Sequence, residues 1–407
     1  MRSSWRRVLV HVSESANVLV NLAKEEHFVR KLPASSDTLM LLLYRNDPAV
    51  VIGRNQNPWR ECDLHHLAER SRQPATTTQL VRRRSGGGTV YHDRGNWNYA
   101  LVIPRPAFSR AANAQLLVRA VRQYVGLQLE RNDRHDLLWR GHKVGGSAYR
   151  LTGDWALHHG TLLLRADLAE MTRCLSPTRF GEQHRLQAKG TSSVRATVDN
   201  LVDVAETMRW QLPAFAMALA RAAADVEGAP AAATPIEMIS DAQLDATFVW
   251  REVAALSAAE WVLGETPPFR VHLGEVSVGT APAELCLVCH GKGATVDALQ
   301  WEEVEASARP FAGWMTHRWS QLPRPPRLDG AALANTLRAM MPAAPDRACR
   351  RALAGVAEQL ARRIPSTEWV AQPHSPCSDA DPTCLPDSSS YSPPAPLSPL
   401  LLERRVT

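Results

Sequence analysis

Three consecutive glycines flanked by arginines are the clearest chemistry-bearing feature of this chain. They stand in Arg82-Arg-Arg-Ser-Gly-Gly-Gly-Thr-Val-Tyr-His-Asp-Arg-Gly-Asn96. Glycine tolerates positive φ and lets a ligand approach the main chain closely. The freed N–H groups form a concavity suited to a phosphate or an acyl carbonyl, and a guanidinium nearby suits bidentate phosphate contacts. A bare Gly-Gly-Gly also suits a flexible hairpin loop. It is not a Walker loop, because no Lys-Ser or Lys-Thr follows, and it is not G-x-G-x-x-G opening a helix. The second feature is Lys143-Val-Gly-Gly-Ser-Ala-Tyr-Arg150. An ammonium is a compact point charge, able to meet negative charge developing on phosphate or carbonyl oxygen. A solvated lysine on a turn is the competing reading. The third is Leu157-His-His-Gly-Thr-Leu-Leu-Leu164. Adjacent histidines on a strand face opposite ways, so His158 and His159 cannot share one metal, and a core or supporting role is expected.

The elements that must position these residues follow from periodicity. Strands are expected at Val8–Val12, Leu39–Tyr44, Val50–Ile52, Leu80–Arg83, Thr89–His92 and Trp155–Leu164, and helices at Ala111–Val125 and Val202–Ala224. Arg45-Asn-Asp-Pro48 reads as a turn. Strands do not alternate with helices as βαβαβ, so the expected class is α+β with a mostly antiparallel sheet. Residues 8–227 form this first domain. Gly228-Ala-Pro-Ala-Ala-Ala-Thr-Pro235 reads as a linker, and 236–365 as a second, smaller domain with strands at Phe269–Leu273 and Glu284–Cys289. The tail, 366–407, holds eight prolines and many serines and is expected to be disordered.

Composition bounds the function. No run of eighteen apolar residues occurs, so no membrane span is expected. The formal charge of +6 comes without basic blocks interleaved with aromatics, which argues against nucleic acid and for an acidic protein partner. Lys24, Lys31, Lys143, Lys189 and Lys292 are the only lysines; arginine supplies the rest of the positive charge. Seven dispersed cysteines read as reduced thiols. Cys286-Leu-Val-Cys289-His290 has the spacing of a c-type haem attachment site, but it lies in a run that alternates like a buried strand. Met1-Arg-Ser-Ser-Trp-Arg-Arg7 has no acid before Glu14 and resembles a minimal mitochondrial presequence, which gives the mitochondrial matrix as the expected location. A frayed basic terminus fits those seven residues equally well.

Taken together, Val51-Ile-Gly-Arg-Asn-Gln-Asn-Pro-Trp59, the Arg82–Asp93 stretch, Asn132-Asp133, Lys143–Tyr149, His159–Leu164 and Ala188-Lys-Gly-Thr-Ser-Ser-Val-Arg195 resemble the lipoate-protein ligase A family in order and spacing, over about 8 to 345. The Arg-Arg-Arg-Ser-Gly-Gly-Gly-Thr-Val-Tyr-His-Asp wording is most similar to animal mitochondrial lipoyltransferases, and Trp261–Phe269 resembles the start of the family's accessory domain. The resemblance implies a biotin/lipoate ligase catalytic domain, related to class II synthetase cores, with a small α+β C-terminal domain. It implies lipoyl contacts from Arg82, Gly86, Gly87 and Lys143, and adenylate contacts from Gly87, Gly88, Thr89, Val90, Asn96 and Lys143. It places Asn132 and Asp133 near phosphates and metal, with no metal ligand fixed, and gives Lys143 the catalytic role. Where the family usually has Ser, this chain has Gly145.

The implied reaction is transfer of a lipoyl group from lipoyl-AMP or a lipoyl donor protein, the lipoylated glycine cleavage H protein, to lipoyl domains of 2-oxo acid dehydrogenase E2 subunits. A monomer is expected. A complete ligase working from lipoate, ATP and Mg2+ is the alternative, and a non-catalytic binder of lipoyl domains or of an adenylate is the alternative of another class. A cysteine-dependent octanoyltransferase is disfavoured because Cys174 lies outside every motif. A biotin ligase is disfavoured because a Gly-Arg-Gly-Arg type loop is missing.

Overall fold

The glycine-rich loop is carried by three short strands that themselves lean on a six-stranded sheet. The computed structural model describes residues 5–32, 37–73, 77–176, 185–202, 210–225, 234–278, 280–289 and 294–371. In chain order the strands are β1 (Arg7–Val12), β2 (Thr38–Arg45), β3 (Ala49–Ile52), β4 (Gln79–Arg82), β5 (Val90–His92), β6 (Asn96–Pro104), β7 (Glu130–Arg131) and β8 (Leu137–Trp139). Then come β9 (His142–Gly145), β10 (Ser147–Thr152), β11 (Trp155–Leu163), β12 (Arg185–Ala188), β13 (Ile236–Met238), β14 (Phe269–Val278), β15 (Ala281–Cys289) and β16 (Ala298–Glu302).

The large sheet runs β10-β11-β6-β2-β1-β13. Its first three pairings are antiparallel and its last two, β2 with β1 and β1 with β13, are parallel. The expected α+β, mostly antiparallel arrangement is therefore what the chain adopts. Leu39, Leu41 and Leu43 of β2 face one side, against the helix Leu212–Ala224, while Met40, Leu42 and Tyr44 face the other. This two-faced burial explains why β2 reads as a continuous apolar run rather than an alternating one. On the second face lies the helix Val18–Lys31, whose start is capped by Asn17 Oδ1 accepting from Leu19 N at 2.9 Å.

β4 and β5 do not form a hairpin. Both pair with β3, β4 parallel and β5 antiparallel, so the glycine loop between them arches over the end of β3. The ribbon β7-β8-β9 stands beside β11. Its turn at Arg140 and Gly141 has φ of 51° and 80° at the two central residues, the geometry that matches a two-residue hairpin to strand twist.

The antiparallel sheet β12-β14-β15-β16 and the helices Arg309–Ser320, Gly330–Met340 and Arg347–Arg363 make an α+β layer in the C-terminal third. Its boundary differs from expectation. β13, and the helix Ala246–Ser257 packed on Val18–Lys31, belong to the first sheet, and β12, before the linker, joins the second. Pro235 already accepts from Val8 N at 2.9 Å, so the linker ends before Thr234; residues 228–233 lie outside the described residues. Edge-strand pairing explains the difference, since three residues suffice to extend a sheet and leave little periodicity to read. Stacking of Trp59 on Phe269, centroids 5.6 Å apart, belongs to a core continuous between the two parts.

The tail also begins later than composition suggests. Thr367 hydrogen-bonds Asp329, and Trp369 and Val370 are buried, because these two apolar side chains complete the C-terminal core. Residues 372–407 lie outside the described residues, as do residues 1–4 of the expected targeting segment; Arg7 is already in β1. Cys286 and Cys289 are buried on β15, three positions apart and so on opposite faces, which is strand packing; His290 is outside the described residues. No helix among the described residues is long and apolar enough to cross a membrane.

Candidate active site

The sequence motifs converge on one cavity of about 670 Å³. Gly86, Gly87, Gly88, Thr89 and Val90 form one wall, Gly146 to Tyr149 with Lys143 a second, and Thr191 to Val194 a third. The separation of these segments in sequence is bridged by backbone bonds. Lys143 N donates to Thr197 O at 3.0 Å and Asp199 N to Lys143 O at 3.1 Å, which fixes β9 against the Lys189–Asn200 loop. Ser193 Oγ accepts from Thr89 N (2.9 Å) and from Gln56 Nε2 (3.0 Å), tying that loop to the glycine loop. Gln56 Oε1 in turn accepts from Gly53 N and Thr89 Oγ1, both at 2.8 Å. Gly87 has φ +84°, the one place in the loop where a side chain would be strained, and the fold there needs glycine.

Lys143 is the ammonium at the rim. Its Nζ is 2.8 Å from Asp136 Oδ1, and it lies over Gly146, where a Cβ would come within 2.8 Å of it. Asp136 Oδ2 accepts from Asn132 Nδ2 at 3.1 Å and Arg134 Nη2 at 3.3 Å. Burial opposes ionisation of Asp136, but the Lys143 ammonium and the Asn132 amide outweigh it and hold the carboxyl below its ordinary range. Asp136 is thus an anion at neutral pH and fixes where the ammonium stands.

Two adjacent arginines divide two jobs, and the expected assignment moves by one residue. Arg82 is fully buried and does not border the cavity. Its guanidinium donates to the carbonyls of Gly53, Arg54, Gln56 and Val262 and to Thr266 Oγ1, at 2.8–3.2 Å. It clamps the turn after β3 to the segment before β14. Arg83 lines the cavity. It donates to the carbonyls of Gly86 (2.6 Å) and Gly88 (2.7 Å), which orients the glycine loop; the Gly86, Gly87 and Gly88 amides have no hydrogen-bond partner among the described residues. Side chains alternate along an extended backbone, so neighbouring arginines must point oppositely. Burial lowers both guanidinium pKa values to about 10, which leaves them cationic.

Two further expected contacts also move. Asn96 is buried beside the cavity, donating from Nδ2 to Asn98 Oδ1 at 3.1 Å, and does not line it; Asn98, two residues further along the same face of the strand, does. Asn132 is a turn residue, its Oδ1 accepting from Arg134 N and Asp136 N; Asp133 and Asp136 reach the cavity instead. Gly86, Gly87, Gly88, Thr89, Val90, Asp133 and Lys143, the other residues singled out from the sequence, line the cavity.

Sequence reasoning missed a buried chain behind the loop. Tyr44 OH donates to Glu25 Oε1 at 2.8 Å, Glu25 Oε2 faces His159 Nδ1 at 2.8 Å, and His159 Nε2 meets Ser85 Oγ at 2.6 Å. Ser85 Oγ also accepts from Arg83 Nε at 3.0 Å. Facing a carboxylate, Nδ1 is the donating nitrogen of this pair. The opposite-face rule for His158 and His159 holds: His158 turns away to Asn113 at 2.9 Å, and burial lowers its pKa to about 3. Cys174 is fully buried with its thiol toward Glu170 at 3.3 Å, and burial pushes its pKa up. Among the described residues His66, Glu170 and Cys174 form the one group close enough to share a metal ion, but none of them lines the cavity, and Arg70 Nε already occupies Glu170 Oε1 at 3.0 Å.

With this geometry in view, residues 17–224 match the model of the lipoyl protein ligase A/B catalytic domain. The chain is 41% identical over 203 residues to the lipoate-protein ligase A of Bdellovibrio bacteriovorus, a match covering 49% of this chain and 56% of that protein. The chain therefore aligns with little more than half the length of this curated relative. The crystal structure of P. falciparum LipL1 in complex with lipoate superposes with a TM-score of 0.50 at 18% identity, over 87% of this chain and 99% of that one. That likeness carries the fold: a lipoate/biotin ligase type catalytic domain of mixed α+β architecture.

Proposed function

The chain belongs to the lipoate-protein ligase family, and from that premise we propose that it transfers a lipoyl group from an activated donor to the acceptor lysine of E2 lipoyl domains. The observation that carries the reading is Lys143, held by Asp136 at the rim of a cavity walled by the glycine loop. In lipoyl-AMP the acyl carbon is bonded to phosphate oxygen through a mixed anhydride. The acceptor amine attacks that carbon, the C–N bond forms, the C–O bond to phosphate breaks, AMP leaves, and the amine proton is lost. The leaving group is already good, so orientation and charge neutralisation are what remain to be supplied. The Lys143 ammonium meets charge on the acyl-phosphate oxygens, and the amides of the glycine loop receive the phosphate. The apolar surfaces of Leu22, Val51 and Val90 take the chain.

The donor is lipoyl-AMP or the lipoylated H protein, the working form is a monomer, and the site of action is the mitochondrial matrix. Support for the transferase is the animal-type wording of the Arg82–Asp93 stretch. Support for a complete ligase is the 41% identical relative, which carries that name. In that second reading Asp133, which lines the cavity, would be the carboxylate that meets a divalent cation carried by a nucleotide. A reconstituted assay separates the two. Apo acceptor domain is offered lipoate with ATP and Mg2+, lipoyl-AMP, or lipoyl-H protein. Modification with either of the last two but not the first is expected; ATP-dependent pyrophosphate release on adding lipoate would make the chain a ligase.

A further inference from the structure

Two buried side-chain nitrogens that line the cavity have no hydrogen-bond partner among the described residues, His135 Nδ1 and Asn98 Nδ2, and of these the Asn98 amide is a donor whatever the tautomer of the ring. Asn98 on β6 is 2% exposed and lines the cavity. Its Oδ1 accepts from Asn96, but its Nδ2 has no partner among the described residues. Tyr44, Thr161 and His92 have partners of their own. Tyr44 OH donates to Glu25, Thr161 Oγ1 accepts from Gly146 N at 3.3 Å, and His92 Nδ1 is paired with Asn46 at 2.9 Å. Leaving a buried amide donor unpaired is costly, and the fold gains nothing from it. Such a donor facing a binding cavity is explained by an acceptor that arrives with the ligand.

The sheet register says which part of a ligand arrives there. Thr161 N donates to Gly146 O, Thr161 is opposite Asn98, and Asn98 is opposite Tyr44, so Gly146, Thr161 and Asn98 form one row across three strands. Lys143 marks the Gly146 end of that row. Two strand spacings separate Gly146 from Asn98, about 9.5 Å. An extended eight-carbon acyl chain whose carbonyl lies under Lys143 spans that distance and ends beside Asn98.

We propose that Asn98 is a specificity-determining residue: its amide donates to a sulfur of the dithiolane ring, so that the cavity favours a sulfur-bearing acyl group over the unsubstituted octanoyl chain of the same length. The inference rests on the lipoyl-transfer reading above and adds to it the residue that tells lipoyl from octanoyl. Sulfur is a weak acceptor, so the discrimination is modest, about three- to tenfold, the range of one net hydrogen bond.

The test uses the full chain and single-turnover transfer to one apo acceptor domain, from lipoyl-AMP and from octanoyl-AMP. Asn98→Leu keeps the volume and removes the donor, and Asn98→Ala is the second variant. The readout is the ratio of the two rate constants within each preparation, which a loss of folded protein does not move. The wild type is expected to prefer lipoyl-AMP, and both variants to lower the ratio about three- to tenfold. An unchanged ratio in either folded variant, with transfer intact, overturns the role of Asn98 and leaves lipoyl transfer standing. Failure of the wild type to transfer from either adenylate overturns both.

Discussion

The two halves of this molecule bury different things. Around the cavity the interior holds Glu25, Arg82, Arg83, His92, Asn98 and His159. In the layer from Phe269 onward, Asp329 and Thr367 are the buried polar side chains among the described residues; the rest of its core is Val271, Leu287, Leu333, Leu353, Leu360 and their like. Asp329 and Thr367 serve the fold, Asp329 capping the helix Gly330–Met340 and receiving the Thr367 hydroxyl. Buried polar groups are unfavourable unless every one is hydrogen-bonded. The first half carries many of them close to the cavity, and the second supplies apolar burial with two that serve the fold. Substitutions should separate accordingly: changes at cavity-lining residues alter rates, and changes at buried residues away from the cavity, in either half, alter stability.

That separation can be broken. The largest effect is expected at Arg82. Arg82→Met leaves the carbonyls of Gly53, Arg54, Gln56 and Val262 without their donor and should cost on the order of 4 kcal/mol or more of stability, seen as a lowered denaturant midpoint. Because Arg82 does not border the cavity, the rate per folded molecule should change little; a rate collapse at unchanged stability would return Arg82 to the binding site. Next is Lys143. Lys143→Ala should slow transfer from lipoyl-AMP by about 10²–10³, and Lys143→Arg nearly as much, because a planar fork cannot take the place of a compact ammonium. Circular dichroism should show both folded, and near-wild-type rates would make Lys143 a surface residue. Leu337→Ala, in the C-terminal core, should lower stability by about 3 kcal/mol with single-turnover rates intact; a matching loss of rate would show the halves to be coupled.

The smallest effect concerns pH. His27, His92 and His158 are held mainly by burial at pKa values of about 4, 3 and 3. Their folded values lie below the unfolded value, so below about pH 6.5 the unfolded chain binds the extra protons and stability falls as pH falls. Lowering the pH from 7 to 6 should cost on the order of 2 kcal/mol, read from denaturation midpoints; a flat profile would mean that these rings are charged in the folded protein. Asp136 works at lower pH. Its depressed pKa keeps the Lys143 pair intact until the ordinary carboxylate range is passed, so no acid limb from this pair is expected in the transfer rate above that range.

What the sequence revealed and concealed follows from the range of each signal. The glycine loop and Lys143 are local patterns, and the structure brings them to one cavity, with strands on both sides of the loop as periodicity suggests. The one-residue move from Arg82 to Arg83 turns on which face of an extended segment meets the cavity, and three consecutive arginines carry no periodicity to settle that. Asn96 and Asn98 pose a different problem: they share one face of β6, and how far along that face the cavity reaches is set by the tertiary fold. The partnership of Glu25, His159 and Ser85 joins the helix Val18–Lys31, β11 and the glycine loop, and only the tertiary fold brings them together. Asp136 was legible in principle: an acid seven residues before Lys143, across a hairpin whose two-residue turn at Arg140-Gly141 sets the register. β13, three residues long, is below the length at which alternation can be told from chance.

The most direct test of the central claim is to weigh the acceptor. The full chain is incubated with lipoyl-AMP and an apo lipoyl domain, and the acceptor is followed by intact mass spectrometry while AMP is quantified. One lipoyl group added to one lysine for each AMP released is expected, faster than the uncatalysed reaction, with the acceleration largely lost in Lys143→Ala. An acceptor modified no faster than without the protein, although the wild type is folded, would contradict it.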